Sequence, residues 1–412
     1  MQILPSSIRS IGAGLRPRLA CEVRPNRIIA ARCNDASGLI AAASSADLAP
    51  GALVPSLHPG NIADRGNFIS ALHSALDPLA GRTKDITLVV PDSAVRVLLL
   101  DFDALPSRLA EAIPVVRFRL KKLLPFEADD AGISYQIMSQ DRSLVRVVAA
   151  AMPREVLDEY ELAVHDAGYE PGAILPSTLA SLTLLPHGTG QISSLIVNAN
   201  PYAVTTAIVR GNVILLHRTL DFTAEVPALP EVRSEENAPA TPAPPPVPIF
   251  ATNLSEAPPV VTAYVEPAPT WDLAHQSTTE DESSPYPADT FDGSAVAAEA
   301  AIQSGVLHDE IEQEDVTANT AAEADVAQAV SIAAAYFEDT LNTLPSQILS
   351  AGTLDAHTLE QLLAHDGFDE LMPNVREMVS ASLLAADAAS SSVPRSLLAG
   401  VAGALATGDT QS

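Results

Sequence analysis

The chain has 412 residues, enough for two or three domains, and carries 51 acidic against 23 basic side chains, a formal charge of −28. That balance argues against nucleic acid as a partner, since phosphate binding needs stripes of Lys and Arg. The acidic excess concentrates between about residues 225 and 325, so it describes a linker more than a fold.

Residues 1–17 read as an N-terminal arm. Arg18 to Arg32 reads as a β-hairpin, with strands at Ala20–Val23 and Ile28–Ala31 and a turn at Pro25-Asn26. A strand is expected over Gly38–Ala43. A helix is expected over Asn61–Leu79, with Ile62, Phe68, Ile69, Leu72 and Leu76 on one face and Asp64 near its start. Asp85–Val90 is a strand, Pro91-Asp92-Ser93 a turn, and Val95, Val97 and Leu99 alternate as a further strand. Pro106 opens a helical pattern through Leu109, Ile113, Val116, Leu120 and Leu123, with a kink or restart expected at Pro114. On it, Arg117, Arg119, Lys121 and Lys122 form a basic patch.

Ile133, Tyr135 and Ile137 then alternate as a strand, and Leu144–Met152 is another. A helix follows from Pro153 to Ala167, with Gly168 suited to the left-handed position after its end. Ala173–Leu175 is a short strand and Pro176–Leu185 a helix. Gln191–Thr219 reads as a second hairpin with a turn at Arg210-Gly211-Asn212. Residues 224–324, rich in Pro, Ala and Glu, lack the apolar surface to offset ordering and read as a disordered linker. Beyond it, Val330, Ile332, Ala333, Phe337, Leu341 and Leu344 mark a buried helix face. Ser346–Ser350 reads as a strand, Leu354–His365 as a helix, and Pro394–Ala406 as an apolar helix too short to span a bilayer.

The stretch from Leu88 to Ile137 combines Pro91-Asp92-Ser93-Ala94-Val95-Arg96, a helix start after Leu105-Pro106, Lys122-Leu123-Leu124-Pro125-Phe126 and Tyr135-Gln136. With Ala167-Gly168-Tyr169-Glu170-Pro171 and Ser177-Thr178-Leu179-Ala180-Ser181-Leu182, it resembles the PilM family, actin-like cytoplasmic proteins of type IV pilus assembly. The residues alone also suit any βαββ module of an α+β protein. The resemblance covers residues 18–222 well and 325–406 loosely. It implies a mixed α/β, actin-like fold: domain I from 18–92 and 169–190, an inserted subdomain at 93–168, and domain II from 191–223 and 325–412. It also implies a cytoplasmic scaffold at the inner membrane that binds the cytoplasmic segment of a bitopic protein, PilN, in a groove of the first domain.

The same resemblance directs attention to three turns. Actin-like ATPases cradle phosphate with Asp-x-Gly hairpin turns and pack adenosine against a Gly-Gly turn; glycines admit the phosphate and aspartates organise Mg²⁺. Here Glu22 stands for the first Asp and Arg24 for its Gly, Asn198 and Asn200 replace the second pair, and Gly352 is left of the third. Arg24 brings a side chain and Pro25 has no N–H to offer. The expectation is no cofactor and no hydrolysis. The alternatives are an active actin-like ATPase, with Arg24 and Arg27 binding phosphate, and a platform protein of type II secretion resembling GspL.

Other constellations are weaker. Cys21 and Cys33 read as small buried thiols. His165 and His187, His357 and His365, and the pair Asp101 and Asp103 have no metal-ligand or acid–base spacing beyond a solvated surface. Arg117, Arg119, Lys121 and Lys122 are candidate partner contacts, either for an acidic partner or for an anionic membrane surface. The N-terminus, with Arg9, Arg16 and Arg18 but no long apolar core, does not read as a signal peptide.

Overall fold

Two five-stranded sheets repeat one topology. In the computed structural model, residues 17–34, 38–82, 84–186, 192–222, 322–365, 375–385, 388 and 392–406 are described. The arm before Pro17, the linker from 224 to 321 and His187 lie outside them.

The first sheet holds β1 (Leu19–Arg24), β2 (Arg27–Cys33), β3 (Ile40–Asp47), β4 (Asp85–Val90) and β8 (Glu170–Pro176), in the order β3-β2-β1-β4-β8. β2 runs antiparallel to β1 and β3, whereas β1, β4 and β8 are parallel. The central strand β1 is buried along its whole length, as a parallel strand covered on both faces must be. The helix α1 (Arg65–Leu76) starts later than its apolar pattern suggests. Leu53 and Ile62 form a bridge ahead of it, and Asp64 caps it by accepting from Asn67 N. Its Phe68, Leu72 and Leu76 are fully buried, each worth about 1.5–3 kcal/mol of apolar transfer.

A three-stranded antiparallel sheet is inserted between β4 and β8. It comprises β5 (Arg96–Phe102), β6 (Ala131–Gln140) and β7 (Val145–Pro153), with β7 central, and α2 (Leu109–Leu120) packs against it. Val116 and Leu120 enter this core, but Leu109 and Leu123, expected on the same face, are exposed because they lie at the helix ends. The helix passes through Pro114 without stopping. The helix α3 (Arg154–Asp166) returns the chain to β8, and Gly168 takes φ +73° at its end. Glu159 on α3 accepts the backbone N–H groups of Gly60, Asn61 and Ile62, tying the loop before α1 to this helix.

After α4 (Ser177–Ser181), the expected second hairpin is three strands: β9 (Ser193–Asn200), β10 (Ala203–Arg210) and β11 (Val213–Asp221). The extra turn is Pro201-Tyr202, where Asn200 Oδ1 accepts from Tyr202 N and Ala203 N. A helix α5 covers residues 322–336. It is followed by β12 (Gln347–Gly352), α6 (Ala356–His365), β13 (Val375–Glu377) and α7 (Ala399–Leu405). The second sheet has the order β11-β10-β9-β12-β13, again with only its second strand antiparallel to its neighbours. This duplicated 3-2-1-4-5 arrangement is the actin-like fold. α7 is buried throughout and packs against α4, β1, β2 and β4. A Cβ on its Gly403 would strike the carbonyl of Ala180, so only glycine lets the two helices meet.

Candidate functional site

Parallel sheets present their loops, and commonly their ligands, at the carboxyl ends of the strands. In the first sheet those ends bring together Glu22 and Arg24 of β1, Asp92 after β4, and Ser177 and Thr178 after β8. Asn198 of β9 joins them from the second sheet. All six are buried, and Glu22 is wholly so.

They form one connected polar network. Thr178 donates from its backbone N–H to Asp92 Oδ1 at 3.1 Å and from Oγ1 to Oδ2 at 2.6 Å. Asn198 Nδ2 donates to Ser177 Oγ and Thr178 Oγ1, both at 2.9 Å, and Ser177 Oγ donates to Glu22 Oε1 at 2.7 Å. The Arg24 guanidinium lies 2.7 Å from Glu22 Oε1, and its Nη1 donates 3.3 Å to the carbonyl of Ala199 in the second sheet. Burial raises the Glu22 pKa above its usual value, with Arg24 and then Ser177 pulling it back. Desolvation pushes the partly buried His217 imidazole down, against the pull of Asp92.

The residues proposed for the nucleotide turns all lie among the described residues. Glu22 is not in a turn: it sits inside β1, paired with Ile29, because the reversal is made by Pro25 and Asn26. Arg24 does not face an open phosphate cradle; it is 3% exposed and held between Glu22 and Ala199. Arg27, the second candidate for phosphate, pairs with Asp47 at 3.1 Å. Asn198 is inside β9, and its amide donors are already engaged. Asn200 holds the Pro201-Tyr202 turn. Gly352 ends β12 at φ +88°, where a Cβ would overlap the Ala199 carbonyl, so its glycine serves the contact between β9 and β12.

A cavity of about 380 Å³ lies beside these strand ends, lined by Asn26, Asn200, Phe222, Val326, Thr353 and Leu354 among others. It holds no basic side chain. For Mg²⁺ with a nucleotide the fit is poor. Glu22 and Arg24 pair with each other, Asp92 is held by Thr178, and the only carboxylate oxygen among them without a partner, Glu22 Oε2, presses on Gly400 of α7, where a Cβ would collide with it. Among the described residues no group of His, Cys, Asp and Glu is arranged to hold a metal ion, and both cysteines are buried free thiols.

The basic patch divides. Arg117 turns inward to the carbonyls of Ala128, Asp129 and Ala131, and Lys121 pairs with Asp129 at 2.5 Å. Arg119 and Lys122 are exposed, with no ion pair among the described residues. His165 meets Glu170 at 3.2 Å, Asp101 faces Arg146 at 3.9 Å, and His357 contacts Gln361. The sequence reading missed Asp92, Ser177, Thr178 and Ala199 as members of the site. Their signal was positional: Ser177 follows directly on β8, and Asp92 comes two residues after the end of β4.

A scan against models of protein families finds no match, and neither does a search of curated proteins. Solved structures similar to this chain include a PilM–PilN type IV pilus biogenesis complex, at 19% identity and TM-score 0.45 over 50% of this chain and 62% of that one. The cytoplasmic domain of EpsL, an inner-membrane component of the type II secretion system of Vibrio cholerae, is similar at 12% identity and TM-score 0.33 over 49% and 70%. The ethanolamine utilization protein EutJ from Carboxydothermus hydrogenoformans is similar at 9% identity and TM-score 0.39 over 98% and 92%. The chain thus spans less than two thirds of the PilM–PilN chain that it matches.

Proposed function

We propose that this protein is a PilM-like scaffold of type IV pilus assembly that binds the cytoplasmic segment of a bitopic inner-membrane protein and does not hydrolyse ATP. The observation that carries the second half is Arg24. Its buried guanidinium joins the two sheets where an actin-like ATPase holds phosphate. The first half rests on the ordered segments between Leu88 and Leu182 that resemble PilM, and on the inserted sheet that those segments build. No described helix is long and apolar enough to cross a membrane.

The test of the scaffold role is peptide binding. Synthetic peptides from the cytoplasmic N-termini of bitopic pilus-assembly proteins are titrated into the full chain. Saturable binding of one such peptide, in nucleotide-free buffer, is the expected result. Failure of all of them to bind removes the role.

A further inference from the structure

Helix α2 carries a feature that its core does not use. Val115, Phe118, Arg119 and Lys122 recur at spacings of three, four and seven residues and so share one outward stripe. Phe118 is 70% exposed, an unusual position for a large aromatic, and Val115 is 37% exposed beside it. Arg108 at the helix start is exposed as well, with a loose contact of 3.5 Å to Glu111. Arg119 and Lys122 form no ion pair among the described residues, unlike Arg117 and Lys121, which are tied to the fold. The stripe is therefore apolar and basic on a chain of net charge −28, and much of that negative charge lies between 224 and 324, where Arg233 is the only Lys or Arg.

We propose that this stripe of α2 is a direct contact for an anionic lipid surface. An aromatic ring flanked by Arg and Lys suits the boundary between acyl chains and phosphates: the ring enters the apolar layer while the cations pair with headgroups. The exposed ring and the unpaired cations beside it favour a lipid surface, and the cavities of about 380 and about 670 Å³ are lined by other elements. One aromatic and three cations give weak, salt-sensitive binding, an adjunct to another attachment rather than an anchor. The inference does not depend on the partner reading above, because the contact is between this chain and lipid alone.

The test is co-sedimentation of the full chain with vesicles of phosphatidylglycerol in phosphatidylcholine, against vesicles of phosphatidylcholine alone, at low ionic strength. Binding to the anionic vesicles only, released by added salt, is expected. Phe118→Ser, and the pair Arg119→Gln with Lys122→Gln, should each lower the bound fraction, by about fivefold for each neutralised charge. Leu162→Ser, at an exposed leucine on α3, should leave it unchanged. All these positions are exposed, so unaltered circular dichroism shows that each variant is folded. Absence of binding to anionic vesicles overturns the proposal, as does binding that the α2 variants leave intact. It also falls if the variants change only the sedimentation of the protein by itself, which would assign the stripe to a second copy.

Discussion

The guanidinium of Arg24, at the end of β1, donates a hydrogen bond of 3.3 Å to the backbone carbonyl of Ala199 in β9, and so joins the two halves of the fold. The same carbonyl accepts from Thr353 N at 2.9 Å, and it is the group that a Cβ on Gly352 would strike. Strand ends from both sheets thus meet at one backbone position, with an internal cation on it.

Arg24→Met should be strongly destabilising. It leaves Glu22 as a buried carboxylate without its counter-ion, a change that costs about 3–5 kcal/mol. The double change of Glu22→Gln with Arg24→Met removes both charges and should recover most of that loss. Urea denaturation of the two variants and the parent measures both terms. A cost below about 1 kcal/mol for the single change would show that the pair is not buried as described.

The raised pKa of Glu22 sets a direction for pH. Between its unfolded value and its folded one, the native chain holds a proton that the unfolded chain has released. Stability therefore falls as pH rises through the window above the ordinary carboxylate range, once the other groups are accounted for. Glu22→Gln should remove this slope, and Arg24→Met should extend it to higher pH, because Arg24 is the largest influence holding the value down. Denaturation midpoints across pH 4 to 8, a window of about four units around that range, measure the slope. An unchanged slope in Glu22→Gln would contradict the assignment.

Asn198→Asp restores the residue type that actin-like ATPases use, yet it should weaken this protein. The amide donates to Ser177 and Thr178, and a carboxylate cannot. A loss of about 1–3 kcal/mol is expected, with no gain of nucleotide binding. Thermal denaturation and an ATP titration of the variant measure the two halves.

Gly352→Ala combines a positive φ with a backbone collision and should cost about 1–3 kcal/mol. Because the residue ends β12 against β9, amide exchange should quicken at those strand ends first. Exchange that is unchanged there would show that the close approach is not required.

Much of this arrangement is local and was legible in the sequence. Pro25-Asn26 marks a turn, Asp85–Val90 is a strand as its pattern says, and Gly168 takes the left-handed conformation that its position after α3 demands. What was not legible is long-range. Nothing near Arg24 announces that its partner is the carbonyl of Ala199, 175 residues away. The Asp92–Thr178 contact likewise depends on β4 and β8 becoming neighbours around the inserted subdomain. The turn at Pro201-Tyr202 was legible in Asn200-Pro201, whereas β13, three residues long, offers too short a period to read. Periodicity also placed Leu109 and Leu123 inside, since it does not show where a helix outruns the sheet beneath it.

The central claim is that the chain's own side chains close the site where an actin-like ATPase holds phosphate. Calorimetric titration of the full protein with a non-hydrolysable ATP analogue and Mg²⁺, with thermal shift in parallel, tests it most directly. No heat and no shift at millimolar nucleotide is the predicted result. Mg²⁺-dependent binding would contradict it, because Arg24 would then have to leave both Glu22 and Ala199 to admit the phosphates.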